Sequence, residues 1–306
     1  MTGASGFLGR WLVDTLLKDE SELVAVCRRP VEGVRTIRAD LTAGEFRLSG
    51  PRWSEVYHLA GLAHCRPRNA AERRRYFEVN VEGTRNLLQA LEGAGVIPDS
   101  LVFVSSVAVY GMTAGELLDE ETPRRAMDPY GASKRGAEDL LREWGIRRGV
   151  RIGVVRLPLV VGKEAPGNFG AMVRALRAHR YLGVGGGESR RSMVLAGDVA
   201  VALPRVAAAG GIYNLTDGRH PSFKEVETAL ANALNQQTPW RLPLWAARPA
   251  ALMADIGERI SRRRLPFNSR ALRIMTSTLT FSDEKARDRI GWRPDSVVEK
   301  IPEMFP

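Results

Sequence analysis

The stretches Leu101-Val-Phe-Val-Ser-Ser106 and Pro129-Tyr-Gly-Ala-Ser-Lys134 decide the fold of this chain. The first begins with an apolar run, which predicts a buried strand of a parallel sheet, and Ser106 stands at its carboxyl end. The second begins an amphipathic helix in which Tyr130 and Lys134 share one face, because they are four residues apart. Ligands of open parallel sheets bind at the carboxyl ends of strands, so the two stretches predict an active site.

The residue types at this site suit proton transfer. A tyrosine phenol has an unperturbed pKa of about 10, a neighbouring ammonium favours the phenolate, and a serine hydroxyl can hold the reacting oxygen beside it. A Tyr-x-x-x-Lys pair alone more often means a packed ring and a solvated amine, so the interpretation depends on the rest of the chain. We take Ser106, Tyr130 and Lys134 as candidate catalytic residues.

A glycine-rich turn, Thr2-Gly-Ala-Ser-Gly-Phe-Leu-Gly9, precedes a helical pattern. Glycine permits positive φ and lets a diphosphate approach the backbone at the helix N-terminus. The strand that normally precedes such a turn is missing, since only Met1 stands before Thr2, and we expect the printed sequence to start late. The candidate cofactor-binding residues in the turn are Gly3, Ser5, Gly6, Phe7, Leu8 and Gly9.

Alternating strands and helices predict an α/β fold, a doubly wound parallel sheet of the Rossmann type. Strands are expected at 22–27, 36–39, 56–60, 101–104 and 151–156, and a long helix at 76–91. After residue 157 the pattern loosens into loops and short helices. We therefore expect a dinucleotide-binding domain over 1–157, rejoined by a strand near 211–215, and a smaller C-terminal, mainly substrate-binding cap over 158–306.

The tip of the strand at 22–27 bears on the choice between NAD and NADP. Arg28 and Arg29 follow it, and no acidic residue does. In dinucleotide folds an acid at this position binds the ribose 2′-hydroxyl, whereas an arginine accepts a 2′-phosphate, so Arg28 favours NADP without excluding NAD. The remaining candidate cofactor-binding residues are Asp40, Leu41, Leu59, Ala60 and Asn80, with Tyr130 and Lys134.

The composition of the chain limits which partners the protein is expected to bind. The net charge of +10 comes from scattered arginine clusters without interleaved aromatic residues, which argues against nucleic acid. One cluster, Arg262–Arg264, is a weak candidate for contact with a membrane surface. No signal peptide or spanning apolar run is evident, and two cysteines, Cys27 and Cys65, favour a reducing cytoplasm. Four histidines without ligand spacing predict no metal site: His58, His64, His179 and His220.

With these motifs assembled, the chain resembles the extended short-chain dehydrogenase/reductase family, and within it the sugar-nucleotide epimerase/dehydratase group. The resemblance runs from Thr2 to about Arg293. It is carried by Thr-Gly-x-x-Gly-x-x-Gly at 2–9, His58-Leu-Ala, Asn80-Val-Glu-Gly-Thr84, Ser105-Ser106-x-x-Val-Tyr-Gly111, Tyr130-x-x-x-Lys134, Arg156 and Arg191.

The resemblance implies roles for individual residues. Ser106 matches the position that holds the sugar hydroxyl, and Tyr130 matches the proton-transfer residue. Lys134 matches the residue that binds the nicotinamide ribose and lowers the pKa of the tyrosine. Asn168 and Arg191 match positions that hold the diphosphate of a nucleotide-sugar substrate. The family also implies a homodimer that packs the helices around 84–91 and 134–144 together.

The residues after Ser106 discriminate among reactions. Family dehydratases carry Asp-Glu there, whereas this chain has Val107-Ala108, which cannot move a proton. A 4-epimerase of a nucleotide-diphospho-sugar in polysaccharide precursor synthesis, with a transient 4-keto intermediate, is then the first hypothesis. The alternatives are an NADPH-dependent 4-keto-sugar reductase, a polyprenyl-diphospho-sugar 4-epimerase, and a catalytically silent binding protein, against which the intact Ser106, Tyr130 and Lys134 argue.

Overall fold

The structure is a computed structural model that describes residues 1–18, 22–44, 46–48, 53–63, 67–261, 265 and 267–305. Three features of the sequence analysis, His64, Cys65 and the cluster Arg262–Arg264, lie outside these ranges. The membrane contact predicted for Arg262–Arg264 therefore stays a prediction.

Short strands alternate with helices along the described chain. The strands are β1 (Val24–Cys27), β2 (Arg35–Arg38), β3 (Glu55–His58), β4 (Ser100–Ser106), β5 (Gly115–Leu118), β6 (Arg151–Leu157), β7 (Leu159–Val161), β8 (Gly183–Val184), β9 (Met193–Leu195), β10 (Gly211–Asn214), β11 (Arg241–Leu242) and β12 (Leu279–Phe281). The helices are α1 (Phe7–Lys18), α2 (Ala70–Phe77), α3 (Gly83–Gly93), α4 (Pro129–Arg148), α5 (Gly167–Arg177), α6 (Ala196–Ala209), α7 (Phe223–Ala233), α8 (Leu244–Ser261), α9 (Ser269–Thr276), α10 (Glu284–Ile290) and α11 (Val297–Met304).

The central sheet is parallel. β1 pairs with β2, and β3, β4, β6 and β10 follow one another in register. Met1 and Thr2 lie between the two groups: Val26 N donates to Met1 O at 2.7 Å, and Thr2 N donates to Tyr57 O at 2.8 Å. The sheet therefore has the order β2-β1-β3-β4-β6-β10, with these two residues between β1 and β3.

Helices cover both faces of the sheet, as the doubly wound prediction requires. One apolar core joins the sheet to α1, α6 and α10, and contains Leu12, Val155 and Leu203. The core on the other face joins it to α3 and α4, and contains Leu91 and Trp144. Because apolar residues are buried on both faces, the strands are near-continuous apolar runs rather than alternating ones.

A second region is built around a smaller core of α5, α7 and α11, in which Phe169, Val226 and Ile301 are buried. It contains the short parallel pairs β7–β9 and β8–β11. Within the same half of the sequence, β10 pairs with β6 of the central sheet. The division of the chain at residue 157 remains a prediction.

The long helix expected at 76–91 differs from its prediction. It begins earlier, at Ala70, where Asn69 Oδ1 accepts a hydrogen bond of 2.8 Å from Glu72 N as an N-cap. It also contains a π-helical turn, Glu78–Glu82, between α2 and α3. Apolar periodicity did not reveal the first two turns because α2 is rich in arginine and buries only Tyr76.

A buried histidine ties the start of the chain to this helix. His58 Nδ1 lies 2.7 Å from Thr2 Oγ1, and His58 Nε2 lies 2.8 Å from Thr84 Oγ1, which donates to Asn80 O. Burial lowers the pKa of His58 to about 3, with smaller contributions from the positive charges of Lys134 and the chain N-terminus. The ring is therefore neutral, and it joins the glycine-rich turn, β3 and α3.

We expect His58 to make the fold acid-sensitive. Its pKa is lower in the folded than in the unfolded state, so the unfolded chain binds the extra proton between pH 6.5 and about 3. As the pH is lowered across that range, the free energy of unfolding should decrease, by up to about 1.4 kcal/mol per pH unit. Urea unfolding at a series of pH values should show a flatter slope in His58→Gln, whereas His179→Gln, at an exposed histidine, should keep the wild-type slope.

Candidate active site

The glycine-rich turn leaves no room for side chains at two of its glycines. Gly3 has a φ of +73°, and a Cβ there would lie 2.6 Å from Ala60 N; at Gly9 a Cβ would lie 2.1 Å from Gly3 O. The glycine-rich turn therefore packs closely against the chain at the end of β3 and leads directly into α1. The first turn of α1 contains no acidic residue. Such a backbone cradle at a helix N-terminus fits the diphosphate of a dinucleotide.

The other residues predicted for this part of the site surround the cradle. Ser5 and Gly6 are exposed on the turn, and Phe7 and Leu8 are half-buried at the start of α1. On the opposite side of Gly3, Leu59 and Ala60 are half-buried just after β3. They stay candidate cofactor contacts.

The tip of β1 carries positive charge. Arg28 is exposed there, and its charge, with that of Arg75 from α2, acts on Asp40. The pKa of Asp40 is lowered chiefly because its Oδ1 accepts hydrogen bonds from Thr42 N at 2.9 Å and Thr42 Oγ1 at 2.8 Å. The Asp40 carboxylate thus holds together the turn in which it lies. In the same turn, the carbonyl of Leu41 accepts a hydrogen bond of 2.7 Å from Asn86 Nδ2.

Asn80 fixes the loop that follows β3. Its Oδ1 accepts from Leu62 N at 2.7 Å, while its Nδ2 donates to Leu62 O at 3.1 Å and to Ser133 Oγ at 2.9 Å. Gly61 lies in this loop, and a Cβ there would be 3.0 Å from both Asn80 Oδ1 and Lys134 Nζ. The side chain predicted to bind cofactor is therefore buried and engaged within the protein, and it shapes the site through the loop and α4.

Ser106 and Tyr130 lie together at the end of β4. The Ser106 hydroxyl is close enough to the phenol of Tyr130 to act on its pKa. Ser106 is the N-cap of a short 3-10 turn, where its Oγ accepts from Ala108 N at 3.2 Å. Tyr130 lies in the first turn of α4, which is capped by Asp128, whose Oδ1 accepts from Gly131 N at 3.1 Å. The two caps fix the serine and tyrosine relative to each other.

Lys134 is not among the groups that set the pKa of Tyr130 in the free protein, so the expectation that it lowers this pKa stays a prediction for the protein with cofactor bound. Burial raises the pKa of Tyr130, the Ser106 hydroxyl opposes that shift, and the nearby Tyr76 and Asp128 add to the increase. Lys134 Nζ donates instead to Val104 O at 2.9 Å and lies 4.6 Å from the centre of the Phe103 ring. Burial lowers the pKa of Lys134 to about 8, and the charge of Glu138 partly offsets this.

Sequence reasoning missed a buried acid next to the candidate catalytic residues. Glu138 accepts from Ser105 Oγ at 2.5 Å and from Arg156 at 2.8 Å. Arg156 is 1% exposed and also donates to Tyr110 Oη at 3.0 Å. The signal was present in the sequence: Glu138 follows Lys134 by four residues, so the two share the face of α4 that packs on the sheet.

The two residues predicted to bind substrate lie apart from this cluster. Asn168 is exposed in the first turn of α5, and Arg191 is half-buried. Neither forms a hydrogen bond with Ser106, Tyr130 or Lys134 within the part of the chain that the structure describes. Arg191 donates from Nη2 to Ile274 O at 2.8 Å, but its buried Nε has no hydrogen-bond acceptor among the described residues.

Burial lowers the pKa of Arg191 to about 10, and no carboxylate among the described residues pairs with it. A half-buried cation with an unused N–H is suited to an anionic group such as a diphosphate.

Elsewhere in the described ranges, no three His, Cys, Asp or Glu side chains converge on a point where they could hold a metal ion. Among the described helices, none combines the length and the apolar character needed to span a bilayer.

The sheet order, the diphosphate cradle and the tyrosine held beside a serine define the class, a dinucleotide-dependent enzyme of the Rossmann fold. The chain belongs to the NAD dependent epimerase/dehydratase family, whose sequence model matches residues 1–216. This confirms the predicted family, fold class and enzyme class, and a nicotinamide dinucleotide as cofactor.

Relatives within the family carry out different reactions. The chain is 31% identical over 250 residues to a GDP-6-deoxy-D-mannose reductase of Pseudomonas aeruginosa, covering 76% of this chain and 78% of that one. It is 29% identical over 217 residues to an N-acetyl-glucosaminyl-diphospho-undecaprenol 4-epimerase of Escherichia coli O157:H7, covering 69% of this chain and 65% of the relative. A Thermus thermophilus UDP-glucose 4-epimerase solved with NAD superposes with a TM-score of 0.75 at 26% identity, covering 99% and 96% of the two chains.

We expect the Ser106 hydroxyl to control the ionisation of Tyr130 in the free protein. Because the Ser106 hydroxyl opposes the effect of burial on the phenol, Ser106→Ala should raise the pKa of Tyr130 further. Ultraviolet titration near 295 nm, with Tyr130→Phe subtracted to isolate the signal, measures the shift. Ser277→Ala, at a half-exposed serine after α9, should leave the titration unchanged, and a lowered pKa in Ser106→Ala would contradict the assignment.

Proposed function

We propose that this chain epimerises C4 of a nucleotide-diphospho-sugar through a transient 4-keto intermediate, in the synthesis of polysaccharide precursors. The proposal is carried by the position of Ser106 at the carboxyl end of β4, from which its hydroxyl acts on the phenol of Tyr130 in the first turn of α4. This end of the sheet also receives the glycine-rich turn and the loop at Gly61. A sugar hydroxyl placed against the serine–tyrosine pair would be next to the site of the nicotinamide cofactor, which supplies hydride acceptance and return when bound.

The residues divide the remaining work. Tyr130 Oη takes the proton of the C4 hydroxyl and later returns it, while Ser106 Oγ holds the same oxygen. Lowering a phenol pKa from about 10 to about 7 takes roughly 4 kcal/mol. Because burial acts against this, the positive charge of Lys134, whose pKa burial lowers to about 8 in the free protein, would have to contribute when the cofactor is bound. Displacement of Nζ from Val104 O towards the ribose would bring that charge closer to Tyr130.

The turn after Ser106 supports epimerisation over dehydration. Val107 and Ala108 form the start of the 3-10 turn, and neither side chain can donate or accept a proton. Removal of water from the sugar needs a second acid and base near the substrate. Oxidation and reduction at one carbon need only the proton transfer at Tyr130 and Ser106, together with the hydride acceptor that the nicotinamide would supply.

Arg191 and Asn168 are proposed to bind the diphosphate of the substrate. The unused N–H of Arg191 supports this for any sugar diphosphate, with either a nucleoside or a polyprenyl group beyond it. The relative that acts on an undecaprenol-linked sugar supports the polyprenyl alternative. Both substrates share the chemistry at C4, so the assignment of Ser106 and Tyr130 is the same for each.

We also propose that the protein is a cytoplasmic homodimer. The buried free thiol of Cys27 is consistent with a reducing compartment. The helices implied in the dimer are α3 and α4, and α4 exposes Ile146, 78% accessible in the single chain. An aliphatic side chain so exposed on that helix supports a contact between subunits there.

A second candidate, an NADPH-dependent 4-keto-sugar reductase, is favoured by the charge at the tip of β1. Arg28 is exposed there and no acid occupies the tip. A cofactor that carries a 2′-phosphate and exchanges after each turnover suits a reductase better than an epimerase. The Pseudomonas aeruginosa relative, a reductase, supports this alternative.

Turnover distinguishes the two reactions. Purified protein should interconvert UDP-galactose and UDP-glucose, or the corresponding N-acetylated pair, without net cofactor consumption if it is an epimerase. Stoichiometric NADPH oxidation by a 4-keto sugar nucleotide would identify the reductase. Tyr130→Phe should reduce either activity by about 10²- to 10⁴-fold. Tyr213→Phe, a buried tyrosine of β10, is the control, and full activity in Tyr130→Phe would disprove the mechanism.

The dinucleotide preference should depend on Arg28. If Arg28 binds a 2′-phosphate, Arg28→Ala should weaken NADPH binding at least about tenfold and leave NADH binding nearly unchanged. Fluorescence titration of both dinucleotides measures the ratio. Arg289→Ala, at an exposed arginine of α10, serves as the control for a general loss of positive charge. Equal weakening for both dinucleotides would contradict a phosphate-specific role.

A further inference from the structure

Helix α8 packs against the protein with its small and acidic residues. Ala247 and Ala251 are fully buried. Further along, Asp255 Oδ1 accepts from Ser269 N at 3.2 Å, and Glu258 Oε1 accepts from Leu265 N at 2.7 Å. These two acidic side chains of α8 thus accept hydrogen bonds from backbone N–H groups at and before the start of α9. They do not form an outer polar face.

The large apolar residues of α8 point outward instead. At about 100° per residue, they fall within a sector of roughly 100° on the side opposite Ala247 and Ala251. We call these residues the apolar stripe: Trp245 (80% exposed), Leu252 (59%), Met253 (67%), Ile256 (42%) and Ile260 (80%). Trp240, 85% exposed, precedes the helix. This is the reverse of an ordinary surface helix, whose apolar face lies inward.

Single exposed apolar residues are ordinary, but a continuous stripe is typical of an interaction surface. Its surroundings are basic. Arg248 is exposed on α8 beside the stripe, and the neighbouring α9 exposes Arg270 and Arg273, three residues apart on one face. None of these three arginines forms an ion pair within the described residues. The chain as a whole carries a net charge of +10.

We propose that α8 docks the protein on an anionic membrane surface, with the apolar stripe at the boundary between headgroups and acyl chains. An interfacial helix of this kind combines an apolar face with flanking basic residues, and tryptophan favours the interface itself. Insertion removes the stripe from water, while the arginines meet anionic headgroups. The helix lies on the membrane and does not cross it.

The charge distribution favours a membrane over a second copy of the chain. Pairing two identical stripes would bring the flanking arginines of both copies together, and like charges so placed repel each other. An anionic bilayer offers the opposite charge over the whole surface. It also accommodates tryptophan, leucine and isoleucine without a shape-matched partner.

Docking would also orient the substrate side of the enzyme. The stripe helix packs on α9, and α9 supplies the carbonyl of Ile274 that holds Arg191. Only two helices therefore separate the membrane from the arginine proposed to bind a diphosphate. If the substrate is polyprenyl-linked, its diphosphate would approach from this side. That consequence rests on the proposed function, whereas the docking does not.

Vesicle flotation tests the docking. At low salt the purified protein should float with vesicles of equal parts phosphatidylglycerol and phosphatidylcholine, more weakly as salt rises and little with phosphatidylcholine alone. The variant Leu252→Ser/Ile260→Ser should bind at least about tenfold more weakly. Trp245 fluorescence, taken as the difference from Trp245→Phe, should shift to shorter wavelength on vesicle addition.

A pair of leucines with equal exposure provides the control. Leu252 on the stripe and Leu117 in β5 are both 59% exposed. Leu252→Ser should weaken vesicle binding several-fold and Leu117→Ser should not. Equal losses in both, or no flotation of the wild type, would overturn the proposal. So would a dimer without vesicle binding that Leu252→Ser/Ile260→Ser converts to monomer. Turnover of a soluble sugar nucleotide should be unaffected, which separates this test from that of the proposed function.

Discussion

Two charged side chains buried one turn apart on α4 hold that helix against the end of β4. Lys134 Nζ binds the carbonyl of Val104, and Glu138 binds the hydroxyl of Ser105, the next residue along the strand. A buried charge is costly unless it is paired or hydrogen-bonded, so each of these contacts strongly favours one position of the helix. The position of Tyr130 beside Ser106 follows from that arrangement.

The same arrangement extends across the sheet. Glu138 pairs with Arg156 on β6, and Arg156 donates to Tyr110 Oη, which donates in turn to Asn214 Oδ1 on β10 at 2.7 Å. The helix that carries Tyr130 is thus joined to three neighbouring strands through the buried side chains of Ser105, Glu138, Arg156, Tyr110 and Asn214. A network of this kind is stable only when every member is satisfied, so the order of the strands and the geometry of the site depend on each other.

The sequence was sufficient for those parts of the site that depend on spacing. The turn at 2–9, the placement of Ser106 at a strand end and the shared face of Tyr130 and Lys134 follow from local periodicity. Spacing does not show which acceptor an amine will find. The contact of Lys134 with Val104 and the raised pKa of Tyr130 arise from burial among residues distant in sequence.

The apolar stripe of α8 was missed for a similar reason. A helical pattern of apolar residues is normally assigned to the core, because periodicity gives the width of a face and not its direction. Here alanine and hydrogen-bonded acidic side chains occupy the inner face. Only the packing of α8 on α9 shows that the larger residues are on the outside.

The π-helical turn at Glu78–Glu82 lets one helical segment hold an extra residue without turning its two halves relative to each other. The turn accommodates one more residue than an α-helical turn, inside a segment that is otherwise continuous from Ala70 to Gly93. Five residues wound in this way advance the chain by about the same angle as four residues of an α-helix, so α2 and α3 keep nearly the relative orientation of an unbroken helix. The extra residue changes the segment only inside the turn, where Asn80 binds Leu62 and its carbonyl accepts from Thr84. Loss of one residue there would therefore disturb the Asn80 contacts and leave the packing of α2 and α3 in place.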